Sequence, residues 1–314
     1  VILFIPIMTV SGAYTVNSSE MVGGLGIQSE HIAFISFVTS IGMAAFSPFF
    51  YSLVSVRRQK LMSLVGFSLL AVQSYICANT DSLFILALNS LIMGFVRQTL
   101  LMCTLFTLIK YGFGIEATRN VSPGNEPTDE AGWDALDTEK KASQPIIYFF
   151  FMLLGQIGTW ITAWFAYNYH WQMVYYAMLG AILVALLITL VCMPYNPYPT
   201  KHSPLSFSKF GNVVVFCIMC CSFVYVTVYG KTYAWFDNAS ICWATVIRVV
   251  STLVFIYLEK TRRSTYFMLK AFKSRSIQGG ILLFIGLMIC NSSSMLVNIF
   301  VGVGMKTDQI QIAA

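Results

Sequence analysis

The chain has 314 residues, of which 57% are hydrophobic and only 10% are charged, and its formal net charge is +6. Soluble domains carry roughly 25% charged residues, so this composition excludes an ordinary water-soluble domain, and we expect no nucleic-acid partner. The mean hydropathy is +0.72. Uninterrupted apolar stretches of about 20 residues predict helices that cross ~30 Å of hydrocarbon, because a helix satisfies its own backbone hydrogen bonds.

Nine apolar stretches follow one another along the chain, and each predicts a membrane span. Their approximate bounds are 1–22, 31–54, 61–79, 83–109, 145–167, 172–194, 210–230, 239–258 and 279–303. Strands are not expected, because residues 83–91 and 148–154 are apolar almost without interruption, whereas barrel strands alternate. The predicted fold class is an all-α polytopic transmembrane helix bundle within a lipid bilayer.

The basic residues predict the orientation of the spans. Most of them fall in alternate connections, and these are Arg57, Arg58, Lys60, Lys110, Arg119, Lys140, Lys141, Lys201, Lys209, Lys260, Arg262, Arg263, Lys270, Lys273 and Arg275. The opposite side has Lys231 and Lys306. Basic connections stay in the cytoplasm, so we expect a multi-pass protein of the cell (inner) membrane with a cytoplasmic N-terminus. Both ends lie in or close to apolar stretches, and we expect a longer protein.

One long connection, residues 111–144, is rich in acidic residues. Pro, Gly and Asn around residues 120–127 indicate an irregular loop on the cytoplasmic side. A solvated linker is the simpler interpretation, and a regulatory or docking role is the alternative.

Cofactor chemistry has little support in the sequence. The pair Cys217 and Cys220 has a metal-like spacing, but it lies in an apolar stretch without a second ligand pair. His31, His170 and His202 fall at span ends or in a loop, far apart along the chain. Nucleotide-binding glycine motifs are missing from the sequence. We therefore expect no metal, no cofactor and no enzymatic activity.

Arg97 lies near the centre of the fourth predicted span, next to Gln98. An arginine at the bilayer centre costs about 2.5–3.5 kcal/mol, so its side chain should face the bundle interior or water. Two readings are open: a contact to a substrate or coupling ion, and a structural arginine that donates to backbone carbonyls or a neighbouring acid. Asn89, two turns away, extends the polar character of this helix.

Four further polar residues lie within predicted spans. Asn17 and Glu20 are one turn apart in the first span, and Glu20 is the carboxylate predicted to lie inside a span. It is either a protonation site or a simple interfacial acid. Gln156 in the fifth span could line a cavity, and Arg248 is central in the eighth.

Several local patterns resemble the major facilitator superfamily, and within it the 14-helix drug:proton antiporters. They are Pro48 followed by Arg57-Arg58-Gln59-Lys60, the Arg- and Gln-bearing stretch 94–102, the glycine-containing stretch 154–160, and the entry into the sixth span at 170–175. The chain lacks the Gly and Asp of the family's loop signature, the Pro of its fifth-span signature, and the Arg that Gln172 replaces.

The resemblance implies a secondary transporter that works by alternating access. Its substrate cavity or coupling site would include Arg97, Gln98, Asn17, Gln156 and Glu20, and its inner gate loop would include Arg57, Arg58 and Lys60. The substrate would be a small amphipathic or anionic molecule exported against protons. A membrane sensor or enzyme with its output or catalytic part elsewhere is the alternative.

The resemblance also implies three units. Residues 1–194 would form the N-terminal six-helix half, residues 195–277 an extra central helix pair with a basic loop, and residues 278–314 the start of the C-terminal half. Arg248 would then lie outside the transport core and be structural.

Overall fold

The computed structural model describes residues 3, 5–9, 18–47, 59–112, 153, 155, 157, 158, 160–193, 208–261, 274, 275, 277–286 and 289. Throughout these residues the regular structure is helical and no strand occurs. The helices are α1 (Ser18–Leu25), α2 (Ser29–Phe46), α3 (Gln59–Asn79), α4 (Leu83–Gly112), α5 (Trp171–Cys192), α6 (Ser208–Tyr229), α7 (Ala239–Thr261) and the short α8 (Ile277–Gly286). Residues 5–9 and 160–168 are also helical.

Six of the described helices, α2 to α7, are long and apolar enough to cross a membrane. They correspond to the second, third, fourth, sixth, seventh and eighth predicted spans. Only parts of the first, fifth and ninth predicted spans are among the described residues, and these parts are mainly helical. The all-helical prediction is confirmed for the described residues, and the six long apolar helices support the predicted multi-pass bundle. The total of nine spans stays a prediction.

The helix ends differ in detail from the predicted bounds. Between the first two predicted spans, α1 continues to Leu25 and ends in a turn at Gly26, which has a positive φ of 65°. Its N–H donates to the carbonyl of Val22 at 3.0 Å, as expected for a glycine that ends a helix. At the other end of the chain, α7 continues to Thr261, beyond the predicted 258.

The outward faces of the bundle carry large apolar side chains. Phe84, Leu187 and Val191 are 77%, 61% and 76% exposed. A water-soluble protein rarely exposes apolar surface on this scale, whereas lipid chains solvate it. The surface therefore supports an integral membrane protein.

The main core lies among α2, α3, α4 and α5. Ile35 of α2, Phe67 and Leu70 of α3, Met93 of α4 and Tyr175 of α5 are buried together. α3 packs between α4 and α5, and α2 packs on α4. This arrangement makes α4 the helix that α2 and α3 both contact.

α6 packs along α2, and α7 packs on α6. Ile41 and Ala45 of α2 lie against Val213 and Cys217 of α6 and Phe255 of α7. The predicted division of the chain into three units stays a prediction, but within the described residues the α6–α7 pair lies directly on a helix of the first unit.

At one end of this contact, Phe34 of α2 packs against Tyr225 and Tyr229 of α6. His31 Nδ1 also lies 2.5 Å from the hydroxyl of Tyr229. The α6–α7 pair is therefore attached to α2 near both ends of the helix.

Candidate functional site

Arg97 is half-buried in the interior of the bundle, near the middle of α4. Its Nε donates to the carbonyl oxygen of Ile7 at 3.1 Å, and a terminal guanidinium nitrogen lies 3.4 Å from Met43 Sδ on α2. A carbonyl and a thioether are uncharged acceptors, so these contacts satisfy donors without neutralising the cation. The sequence expectation that Arg97 faces the interior agrees with this placement.

A close helix crossing brings Met43 to Arg97. α2 and α4 approach at Gly42 and Gly94, where a Cβ on Gly94 would lie 2.9 Å from the backbone nitrogen of Met43. Small residues allow helix backbones in membranes to approach this closely. Arg97 is one turn beyond Gly94, so the crossing sets the distance between its guanidinium and α2.

A short helical turn at residues 5–9 forms another wall of the site. Ile7 is fully buried and Thr9 is 6% exposed, with its hydroxyl donating to the carbonyl of Pro6 at 2.8 Å. A Cβ on Gly158 would lie 3.1 Å from Met8, so this turn packs between α4 and the helix that contains residues 160–168. The Ile7 carbonyl is thereby held against Arg97.

Buried polar residues adjoin Arg97 on α4 and α2. Gln98 is 8% exposed, Thr99 next to it is buried, and Thr39 is buried on α2, where its carbonyl faces Gly94. The Thr39 hydroxyl donates to Ile35 and the Thr99 hydroxyl to Phe95, both within their own helices. These side chains add polar groups to the two helices that meet near Arg97.

The other residues predicted for the cavity and gate are only partly visible. Asn17, Gln156, Arg57 and Arg58 lie outside the described residues, and for Glu20 only the backbone, in α1, is described. Their roles in the cavity and the gate therefore stay predictions.

Lys60, the third predicted gate residue, has a visible partner. Its Nζ donates to the carbonyl of Leu190 at 2.8 Å. That carbonyl is in the last turn of α5, where helix carbonyls lack partners of their own and a cation is favoured. Lys60 therefore caps α5 from the start of α3.

Asn89 belongs to a different interface from Arg97. Its amide donates to the carbonyl of Gln73 at 2.9 Å and lies 3.0 Å from Cys77 Sγ, both on α3. These contacts do not support the expectation that Asn89 adds to the polar surroundings of Arg97. Its side chain instead joins α4 to α3.

Gln73 is a buried polar residue that the sequence analysis did not identify. It is 5% exposed, and its Oε1 has no hydrogen-bond partner within the part of the chain that the structure describes. Next to it, Ser74 donates to the carbonyl of Tyr175 at 3.2 Å across the contact with α5. Polar residues of this kind hold membrane helices together.

Glu259 corrects the prediction that Glu20 is the carboxylate inside a span. The candidate span of α7 extends to Thr261, and Glu259 within it is only 3% exposed. The amide of Asn212 on α6, itself fully buried, lies 3.4 Å from its Oε2. The predicted span ends one residue earlier, at residue 258, because a glutamate in the sequence indicates a polar boundary.

Arg248 lies on the outside of the described bundle. Its side chain is exposed, and its Cζ stands 4.3 Å from the centre of the Phe223 ring on α6. Arg97 and Arg248, which have similar central positions in their helices, therefore face opposite environments.

The geometry of the described residues is the basis for proposing a function. The chain matches no protein-family model, and no curated protein is significantly similar to it. What the described helices support is an integral multi-pass membrane protein.

The described part of the chain contains no candidate metal site, because no group of three His, Cys, Asp or Glu side chains there could hold an ion. Cys217, Cys220 and Cys221 lie in the apolar helix α6, where thiols serve as small apolar residues.

Proposed function

We propose that the chain belongs to a secondary active transporter that exports small amphipathic or anionic compounds, coupled to protons, by alternating access. The observation that carries this proposal is Arg97, a cation inside the helix bundle that donates to the backbone carbonyl of Ile7 and approaches Met43 Sδ. An ionisable residue inside a membrane bundle marks a pathway for substrates or ions more often than a packing role.

The contacts of Arg97 support exchange of partners. A guanidinium has five N–H donors, and a substrate carboxylate or phosphate could accept two of them at once. The Ile7 carbonyl is an acceptor that such an anion could replace, since charge-assisted hydrogen bonds are stronger than those to a neutral carbonyl. In this proposal the turn at residues 5–9 holds Arg97 while no substrate is bound.

The remaining roles follow the sequence predictions. Gln98, which adjoins Arg97, lines the cavity, together with Asn17 and Gln156. Glu20 carries the coupling proton, and Arg57 and Arg58 belong to the inner gate loop. The protein resides in the inner membrane with its N-terminus in the cytoplasm.

The test uses full-length protein reconstituted in vesicles that contain a pH-sensitive dye. A fluorescent amphipathic carboxylate and a fluorescent amphipathic cation are the two probes. Arg97→Ala should abolish proton flux driven by the carboxylate, and Arg97→Lys should retain part of it because the charge remains.

Lys231→Ala is the matched control, because it removes an exposed cation from the turn between α6 and α7 and should leave flux unchanged. Flux that persists in Arg97→Ala would remove Arg97 from the mechanism. If the wild-type protein moves neither probe nor protons, the transporter proposal is wrong.

A further inference from the structure

The outer surface of α7 carries a cation near the middle of the membrane. Arg248 lies about 14 Å from Ala239 and about 20 Å from Thr261 along the helix axis, at ~1.5 Å per residue. A side chain near a helix end can extend its charge to the headgroups, but Arg248 is too far from both ends of α7 to do so. A group that compensates its charge is therefore needed within the hydrocarbon.

Among the described residues, the visible contact of the Arg248 guanidinium is an aromatic ring. Its Cζ stands 4.3 Å from the centre of the Phe223 ring on α6. A ring face attracts a cation but does not neutralise it. The nearby hydroxyls of Thr245, Ser251 and Thr252 all donate to backbone carbonyls of α7 itself.

A stripe of exposed residues runs along α7 beside its contact with α6. Val249 and Leu253 in this stripe are 54% and 63% exposed. They line a shallow groove that we call the Arg248 face, formed by Thr245, Arg248, Val249, Thr252 and Leu253. These residues are spaced as i, i+3, i+4, i+7 and i+8, which is the pattern of a helix face that packs along a second helix.

A carboxylate is the group that compensates an arginine best, because it accepts two parallel N–H bonds and carries the opposite charge. The chain has 13 acidic residues, and none of them is near the middle of a predicted span. Glu20 and Glu259 lie near span ends, and the others lie in connections, at the start of a span or beyond the last one. The acid that matches Arg248 in depth must therefore come from another molecule.

A second copy of this chain does not meet the requirement either. It has the same acidic residues and so offers no carboxylate at mid-depth. A two-fold contact on the Arg248 face would also bring two Arg248 cations together, because such a contact uses the same surface on both copies.

We propose that the Arg248 face binds a transmembrane helix of a different polypeptide, and that this helix carries an aspartate or glutamate near its middle. The carboxylate accepts two N–H bonds from Arg248. Thr245 and Thr252 are small residues seven apart, so they let the two helices approach closely, and Val249 and Leu253 pack against the apolar side chains of the partner. Assembly removes both charges from lipid at the same time.

The experiment uses the full-length protein reconstituted in vesicles, with a photo-reactive benzoylphenylalanine at Thr252. Leu253, also on the Arg248 face, is a second position in case the Thr252 variant does not fold. Val254 is the matched control position, because it is close in depth but lines a different groove, with Val215 and Ile218 of α6. The probe is a synthetic helix of about 20 leucine and alanine residues with one central glutamate, and matched probes carry glutamine or lysine there.

We expect the glutamate probe to give about tenfold more adduct from Thr252 or Leu253 than the glutamine probe, and the lysine probe to give the least. Arg248→Lys should keep the preference for glutamate because the charge remains, whereas Arg248→Gln should lose it. Val254 should show no preference among the three probes.

Equal adducts of the glutamate and glutamine probes on the Arg248 face would overturn the proposal. A preference for glutamate that survives in Arg248→Gln, or that is equally strong at Val254, would do the same. Adducts that join Thr252 and Leu253 only to another part of the same chain, to a second copy or to lipid would show a different occupant and also overturn it.

Discussion

Gly42 on α2 and Gly94 on α4 face each other at the crossing of the two helices, where a Cβ on Gly94 would lie 3.0 Å from the Cα of Gly42. The same Cβ would fall on the carbonyl oxygen of Thr39. Because Arg97 is one turn further along α4, this crossing also determines how near Met43 lies to the guanidinium. The packing of two glycines and the position of a buried cation are therefore linked.

Replacing Gly94 with Ala should push α2 and α4 apart. The added methyl group meets backbone atoms that have no freedom to rotate away, and overpacking of this kind costs about 1–3 kcal/mol. The free energy of unfolding, measured by denaturant titration in detergent, should fall by that amount. Gly180→Ala on α5 is the control: it meets open space and should be neutral or slightly stabilising. An equal effect at both positions would contradict the close crossing.

Replacing Asn89 with Ala should destabilise the bundle but leave the surroundings of Arg97 intact. Asn89 donates to Gln73 on α3, and hydrogen bonds between membrane helices contribute about 0.6–1.7 kcal/mol. We expect a loss of that size in unfolding free energy, with unchanged proton flux per folded molecule. A fall in flux without a fall in stability would instead assign Asn89 to the cavity.

Glu259 should be more sensitive to an apolar substitution than to an amide. Glu259→Gln keeps an oxygen that can accept a hydrogen bond from the Asn212 amide. Glu259→Leu takes this acceptor away from the buried amide, at a cost of about 1–3 kcal/mol. Thermal unfolding in detergent should therefore rank the wild type and Glu259→Gln above Glu259→Leu. Lys260→Leu, an exposed neighbour on the same helix, is the control and should change little.

The contact between His31 and Tyr229 should appear as an energetic coupling. Removing the hydroxyl by Tyr229→Phe should cost about 0.5–1.5 kcal/mol, and adding His31→Phe should cost little more. A double-mutant cycle on unfolding free energy measures this. Additive effects of the two substitutions would show that the contact does not attach α6 to α2. Tyr257→Phe, which changes an exposed tyrosine of α7, provides the baseline.

The helices could be predicted from the sequence because each span depends on the hydropathy of its own residues. About 20 apolar residues in a row form a helix in lipid whatever their neighbours are, since all backbone hydrogen bonds stay within the segment. The bounds of α3, α5, α6 and α7 accordingly lie within a few residues of the predicted ones. The predicted span ends before Glu259, because the hydropathy of one segment gives no information about the contact of Glu259 with Asn212 of α6.

The candidate site could be predicted only in part from the sequence. The sequence alone determined that Arg97 is too costly to leave in lipid and must face inward. Tertiary structure decided what it meets there, because Ile7 and Met43 are far from it along the chain. It also separated Asn89 from Arg97 and placed Arg248 outside the described bundle, since the side of a helix that is covered depends on which helices pack against it. Hydropathy thus determined the solvent of this protein, and helix packing decided which polar side chains meet.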